Sequence, residues 1–241
     1  MRFRTDTIYD KAKELFKSGA IGELNMISGS WKRNSAVGAW QYSLPPDASP
    51  STVDWERFLG NAPKRPFDAM RFFRWRNYMD YGTGIPGDLY MHLFSGIHHV
   101  IGSNGPTQIM AAGGLRYWKD GRDVPDVIWG LFDYPKTESH PAFTCALSTN
   151  FIDGSDSEAG IRFVGSEGTM ILGWNTVKVI RRGLYRESLE DLVEGYNSVR
   201  TFSKEMQEKF KEQTASAPRR PQCSRTTAIW RNARSIGMRR R

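Results

Sequence analysis

Val127-Ile-Trp-Gly-Leu-Phe-Asp-Tyr134 and Phe143-Thr-Cys-Ala-Leu-Ser-Thr-Asn-Phe151 decide the fold. Both are short runs rich in aromatic and β-branched residues, bounded by turn-forming stretches, and they read as strands of a pleated sheet. Four further runs have the same character: Thr107–Tyr117, Ile161–Val164, Thr169–Leu172 and Val177–Arg181. Turn sequences such as Asp120-Gly-Arg122 and Gly165-Ser-Glu-Gly168 stand between them. Strands that follow one another through short turns pair antiparallel, whereas parallel neighbours need a long crossover. Residues 107–181 therefore predict one antiparallel layer.

Upstream of that layer the periodicity is mostly helical. Asp6 is placed to cap a first helix whose Ile8, Ala12, Leu15 and Phe16 share a face, and Gly19 ends it. A strand pattern follows at Leu24–Trp31. Residues 43–68 are rich in Pro, Ser and Asp, with a short helical turn over Val53–Leu59. The aromatic and basic stretch Arg71-Phe-Phe-Arg-Trp-Arg-Asn-Tyr78 leads to a glycine loop, Gly82–Gly87, and to a helix over Asp88–Ile101. A last amphipathic helix is predicted at Val199–Gln213. Helices gathered before the strands imply an α+β fold, an open and predominantly antiparallel sheet with helices on one face. Residues 1–212 read as one such domain.

Composition narrows the function classes. Hydrophobic content of 39% and aromatic content of 12% suit a globular protein, and no apolar run approaches the ~18 residues of a membrane span. Met1-Arg-Phe-Arg4 has charge without a following apolar run, so it is not a secretory signal, and a cytoplasmic location is expected. Two cysteines, Cys145 and Cys223, make neither a disulfide framework nor a zinc site. Cys145 lies in a strand pattern and reads as a small core residue. Residues 1–213 carry 26 basic and 26 acidic side chains, so the excess of +8 is all in residues 214–241, as eight arginines without an acid or a lysine. The body thus has no basic surplus for nucleic acid. The tail, residues 213–241, lacks apolar periodicity and is expected to be disordered. Its composition suits a nucleic-acid-binding arm or out-of-frame translation, and the abrupt change favours the latter.

The chemistry is concentrated on the helix at Asp88–Ile101. Leu89, Leu93, Ile97 and Val100 form one apolar stripe, and Met91, Phe94 and Ile101 a second. Between them run Asp88, His92, Ser95 and His99. A helix apolar around most of its girth is buried, so the polar stripe must meet a partner or a cavity. Asp88 and His92 are four apart and within reach of one ligand. Spacing alone leaves two readings open: that pair on a ligand, or Asp88 as an N-cap with His92 in the core. His98 and His99 stand near the C-terminal end, where the helix dipole favours partial charge and a structural role is the default. Gly82-Thr-Gly-Ile-Pro-Gly87 matches G-x-G-x-x-G, but no buried strand precedes it and no βαβ unit surrounds it, so nucleotide binding is not expected there. Asp120, Asp123 and Asp126 recur every third residue in an inter-strand turn, which reads as solvated and not as a calcium loop.

Trp75-Arg76, Tyr81-Gly-Thr-Gly84, Asp88 and His92 together resemble the W-R…G-G…D-x-x-x-H pattern of Gfo/Idh/MocA oxidoreductases. Ser18-Gly-Ala-Ile-Gly-Glu-Leu24 looks like that family's crossover from its nucleotide domain. Val53-Asp-Trp-Glu-Arg-Phe-Leu-Gly60, Trp118-Lys-Asp-Gly-Arg-Asp-Val-Pro-Asp126 and Phe163-Val-Gly-Ser-Glu-Gly168 are similar to segments of a bacterial subgroup. The resemblance spans about residues 5–212. It implies the substrate-side half of an NAD- or NADP-dependent sugar oxidoreductase, with His92 as general acid/base, Asp88 positioning hydroxyls, and Trp75, Arg76, Tyr81 and Gly84 near the substrate. It also implies assembly into a homo-oligomer. The family's Rossmann domain and its Glu-Lys-Pro segment have no counterpart here, so this chain is expected to hold no NAD or NADP tightly and to be inactive alone. Two other classes stand beside this one: a non-enzymatic oligomerisation or carbohydrate-binding module using the open sheet, and nucleic-acid binding through the arginine tail. Relatives that use bound NAD for epimerisation or glycoside cleavage are not distinguished by these residues.

Overall fold

The computed structural model describes residues 7–154, 160–173, 175–181, 199, 201–215 and 226–231. Helix α1 (Thr7–Lys17) leads into strand β1 (Leu24–Lys32), followed by short helices α2 (Trp55–Leu59) and α3 (Ala69–Phe73). A 3-10 turn (Trp75–Asn77) and a π turn (Pro86–Tyr90) precede helix α4 (Met91–Ile101). Strands β2 (Gln108–Gly114), β3 (Val127–Tyr134), β4 (Phe143–Asn150), β5 (Ile161–Gly165), β6 (Gly168–Leu172) and β7 (Thr176–Arg181) then build the sheet. Helix α5 (Lys204–Ala215) and strand β8 (Thr226–Arg231) complete the described elements.

The eight strands lie in the order β2-β3-β4-β1-β5-β6-β7-β8. Every neighbouring pair is antiparallel except β1 and β4, which run parallel with Met26 opposite Thr144 and Lys32 opposite Asn150. The fold is α+β, as the strand spacing predicts. The insertion of β1 into the middle of the sheet is not predictable from local turns, because the crossover between β1 and β4 spans more than a hundred residues.

α1 and α4 cover one face. Ile27, Cys145, Leu147, Phe163 and Met170 alternate inward along their strands to meet Ile8, Ala12, Leu93 and Ile97. The helices pack closely because Gly96 has no Cβ: one added there would collide with the Tyr9 ring. His99 Nε2 bonds Asp10 Oδ1 at 2.8 Å, tying the same two helices. His98 Nε2 meets the Tyr134 hydroxyl at 2.8 Å. Burial and the neighbouring His140 lower the His98 pKa, so the charge expected from the helix dipole does not develop there. The structural role expected for both histidines is what the geometry shows. Cys145 is a core residue, its thiol pushed up to about 12 by burial.

Two expectations need correction. The turn holding Asp120, Asp123 and Asp126 is solvated only in part: Asp123 is exposed, Asp120 is half-buried and Asp126 is buried. Asp126 is fully buried and accepts from the backbone N–H groups of Arg116 (2.7 Å), Tyr117 (2.9 Å) and Trp118 (2.8 Å). Asp123 accepts from Met79 N at 2.7 Å, and Asp120 pairs with Arg122, whose side chain is wholly buried. Buried carboxylates are tolerated when such donors satisfy them. The tail also contributes structure: Thr226–Arg231 pairs antiparallel with β7, with Ala228 opposite Val179 and Trp230 opposite Val177. Trp230 packs against the core, which gives that segment the apolar anchor its arginine content hid. Asp6, Cys223 and most of the remaining tail lie outside the described residues, and α5 begins at Lys204, five residues later than predicted.

Candidate active site

The site lies where the C-terminal ends of β1 and β4 meet the N-terminal end of α4. Gly84 starts its approach. It is buried with φ of +62°, a left-handed conformation that glycine adopts without strain, and its Cα faces Val124 and Met79. The chain then makes the π turn, in which Met91 N bonds Pro86 O as well as Leu89 O. Single π turns inside helices widen the helix locally and recur at functional sites. Here the wide turn brings residues four to five apart into line, and Asp88 and His92 are four apart. Asp88 is therefore not the N-cap that spacing left open, because Ile85 already has helical geometry and Asp88 sits inside the turn.

Below, the helix is locked to the sheet. Leu89, Tyr90, Leu93 and Ile97 are buried, and the Tyr90 hydroxyl donates to Ile128 O (3.1 Å) and Leu147 O (3.0 Å). Burial pushes the Tyr90 pKa up to about 12, so it remains a donor. Asp88 and His92 are left half-buried on the opposite side. The Arg76 Nε donates to Asp88 Oδ1 at 2.8 Å, both side chains being about 30% exposed. The same guanidinium lies over its neighbour Trp75, 4.2 Å from the ring centroid. The His92 ring is 6.1 Å from that of Trp31, tilted by 35°.

Trp75, Arg76 and Asp88 are thus brought together, with His92 one turn along the helix. Tyr81 goes elsewhere. Its ring packs on Phe58 (4.9 Å) and Tyr78 (6.3 Å), and its buried hydroxyl lies beside the Arg71 guanidinium. This belongs to an aromatic cluster with Trp55, Phe67 and Phe72 that fastens α2 and α3. Gly84 likewise serves the turn. The sequence reading missed Trp31, whose ring stands beside His92, and Tyr42, whose ring is 6.0 Å from the Arg76 guanidinium carbon. No motif marks either, because both arrive from distant segments.

A carboxylate held by one guanidinium can accept hydroxyl hydrogens, and an imidazole one turn away can take or give a proton. A dinucleotide finds no cradle at Gly82–Gly87. The loop is packed on itself, with Gly87 against Thr83 and Gly84 against Val124, and it enters a π turn without a preceding strand.

Residues 10–112 match the family described as "Oxidoreductase family, C-terminal alpha/beta domain", of the Gfo/Idh/MocA type. They belong to that family. Among solved structures, the chain is similar to a levoglucosan dehydrogenase in complex with NADH and levoglucosan, at 15% identity over 74% of this chain and 42% of that one, TM-score 0.46. It is also similar to an oxidoreductase from Thermotoga maritima (16% identity, 90% and 51% covered, TM-score 0.47) and to an NAD-binding oxidoreductase from Klebsiella pneumoniae (19% identity, 74% and 42% covered, TM-score 0.46). The chain spans only 42 to 51% of the length of those three proteins. No curated protein matches it in sequence. No described helix is long and apolar enough to cross a membrane.

Proposed function

We propose that residues 1–212 form the substrate-side domain of a nicotinamide-dependent oxidoreductase acting on a CH–OH group of a sugar or sugar derivative. The observation that carries this reading is the half-buried Asp88 and His92 at the widened start of α4, in a domain of this family. In it, Asp88, oriented by Arg76, accepts hydrogen bonds from substrate hydroxyls, and Trp75 closes one side. His92 accepts the proton of the hydroxyl being oxidised, at a ring nitrogen. NAD or NADP supplies the oxidising chemistry in the complete enzyme and is held by a nucleotide-binding domain. The described residues do not fit it, so the 241 residues alone are not expected to turn over a sugar.

The outer face of the sheet supports assembly of two copies. Met110, Trp129 and Leu131 lie side by side in register on β2 and β3 and are 66%, 58% and 42% exposed, with Met26 further along the same face. A contiguous apolar patch of this kind marks a protein interface.

Calorimetry with NAD, NADP and a panel of pyranosides tests the proposal. Weak pyranoside binding that Asp88→Ala abolishes, without measurable dinucleotide binding, is the expected result. Micromolar NAD or NADP affinity would overturn the division of labour, and pyranoside affinity indifferent to Asp88→Ala would overturn the site.

A further inference from the structure

We infer that Tyr42 is the stacking wall of this site, receiving the apolar C–H face of a pyranose whose hydroxyls reach Asp88; the inference rests on the sugar reading above. Among the described residues, Trp40 is the one non-glycine with a positive φ, +64°. A bulky residue persists in that conformation only where its surroundings over-determine it, and such residues cluster at functional sites. Trp40 is buried edge-on against Phe151, with ring centroids 4.9 Å apart, and its carbonyl accepts from Asn77 Nδ2. The left-handed step turns the chain outward at Gln41 and Tyr42.

The backbone beyond that step is clamped. The Gln41 amide nitrogen donates to Asp120 Oδ2, and its amide oxygen accepts from Arg74 Nη1. The Arg74 Nε donates to Tyr42 O at 2.9 Å. Asp120 is held by Arg122 through Nε (2.8 Å) and Nη2 (2.6 Å), and Arg122 Nη2 also donates to Ala39 O at 3.1 Å. Residues 39–42 are therefore fixed by ionic and amide bonds, while Tyr42 itself is 48% exposed.

An exposed tyrosine is ordinary on its own. Here a strained residue and three charged side chains hold the backbone of one whose ring contributes little to the core. That ring stands beside the Arg76 guanidinium, which holds Asp88 at 2.8 Å. Of the other aromatic rings nearby, Trp75 lies under Arg76 at 4.2 Å, Trp31 stands against the His92 ring, Tyr78 is 4% exposed, and Tyr81 packs on Phe58. Arg76 lies over one face of the Tyr42 ring at 6.0 Å, and the exposed remainder of the ring, beside a hydrogen-bonding carboxylate, suits a pyranose, which has an apolar C–H face and a polar edge.

The test uses the 241-residue chain, labelled with carbon-13 on tyrosine rings and titrated with methyl β-D-glucopyranoside, with acyclic sorbitol as the control. The Tyr42 ring signals are expected to move with the pyranoside. Tyr42→Ala is expected to weaken binding about five- to tenfold, and Tyr42→Phe to keep it within about twofold, since the π face is retained. Sorbitol, which has no rigid C–H face, should be indifferent to both changes. Pyranoside binding unchanged in Tyr42→Ala but lost in Asp88→Ala would overturn the stacking role and leave the sugar site standing. Equal loss in Tyr42→Ala and Tyr42→Phe would assign the effect to the hydroxyl and overturn it too. Absence of pyranoside binding by the unmodified chain would remove the sugar reading together with it.

Discussion

Asp126→Asn is the substitution whose effect the structure specifies most tightly. The carboxylate is 0% exposed and receives three backbone N–H groups: Arg116 on Oδ1, Tyr117 and Trp118 on Oδ2. Asparagine has the same shape but one acceptor oxygen. Placed at Oδ2, that oxygen keeps two bonds without their charge assistance and turns an NH2 toward the Arg116 N–H. Charge assistance is worth roughly 1 kcal/mol for each of the two bonds, and a buried donor without a partner costs about 1–3 kcal/mol, so the loss should be about 3–5 kcal/mol. The pH dependence follows from the carboxyl's pKa. Burial pushes it up, but the N–H groups of Trp118, Arg116 and Tyr117 outweigh burial and hold it below the ordinary carboxylate value. A folded-state pKa lowered in this way gives stability that is complete above about pH 4 and is lost as pH falls through the folded pKa. Urea unfolding of both proteins at about pH 7, 5 and 3 should show the full gap at the first two values and a narrower one at the third. A loss below about 1 kcal/mol at neutral pH, or a gap already closing near pH 5, would refute the three-donor account.

Gly96→Val should drive α1 off α4, because its Cβ enters the Tyr9 ring; an overpacking cost of about 1–3 kcal/mol is expected in urea unfolding, and Tyr9→Ala in the same chain should relieve part of it. Leu131→Asp, on the outer face of β3, should convert a sedimenting dimer to a monomer without loss of thermal stability. A wild-type chain that sediments as a monomer would count against the sheet as an interface.

The strands were legible because their apolar alternation is local. β3 and β4 show it plainly: Phe132 and Tyr134 turn inward on β3, Cys145 and Leu147 on β4, and each is separated by a neighbour that faces out. What local pattern cannot carry is pairing across a long separation. β1 reads as a strand from Leu24–Trp31, yet its place between β4 and β5 depends on contacts made far along the chain. The same reason explains β8. The arginines of the surrounding tail suggested solvation, while Trp230, opposite Val177, packs against the core and seats the strand.

The site divides along the same line. Asp88 and His92 were found because one helix carries both, so their separation in sequence is also their separation in space. Arg76 was found by the family's pattern, but its ion pair with Asp88 was not, and that pair changes the chemistry. A carboxylate bound by a guanidinium is held in one orientation, with a second oxygen left to accept from hydroxyls, and on the proposed reading His92 is left as the proton acceptor. Tyr42 could not be found at all, because its position depends on Trp40, Gln41, Arg74, Asp120 and Arg122, drawn from three separate stretches of chain. The turn aspartates connect these facts. Asp126 holds the start of the loop at residues 116–118, and Asp120 in that loop holds Gln41. Packing in the β2–β3 loop therefore reaches the site through a chain of polar bonds, and loosening that loop with Asp126→Asn should weaken pyranoside binding without touching Asp88, His92 or Arg76.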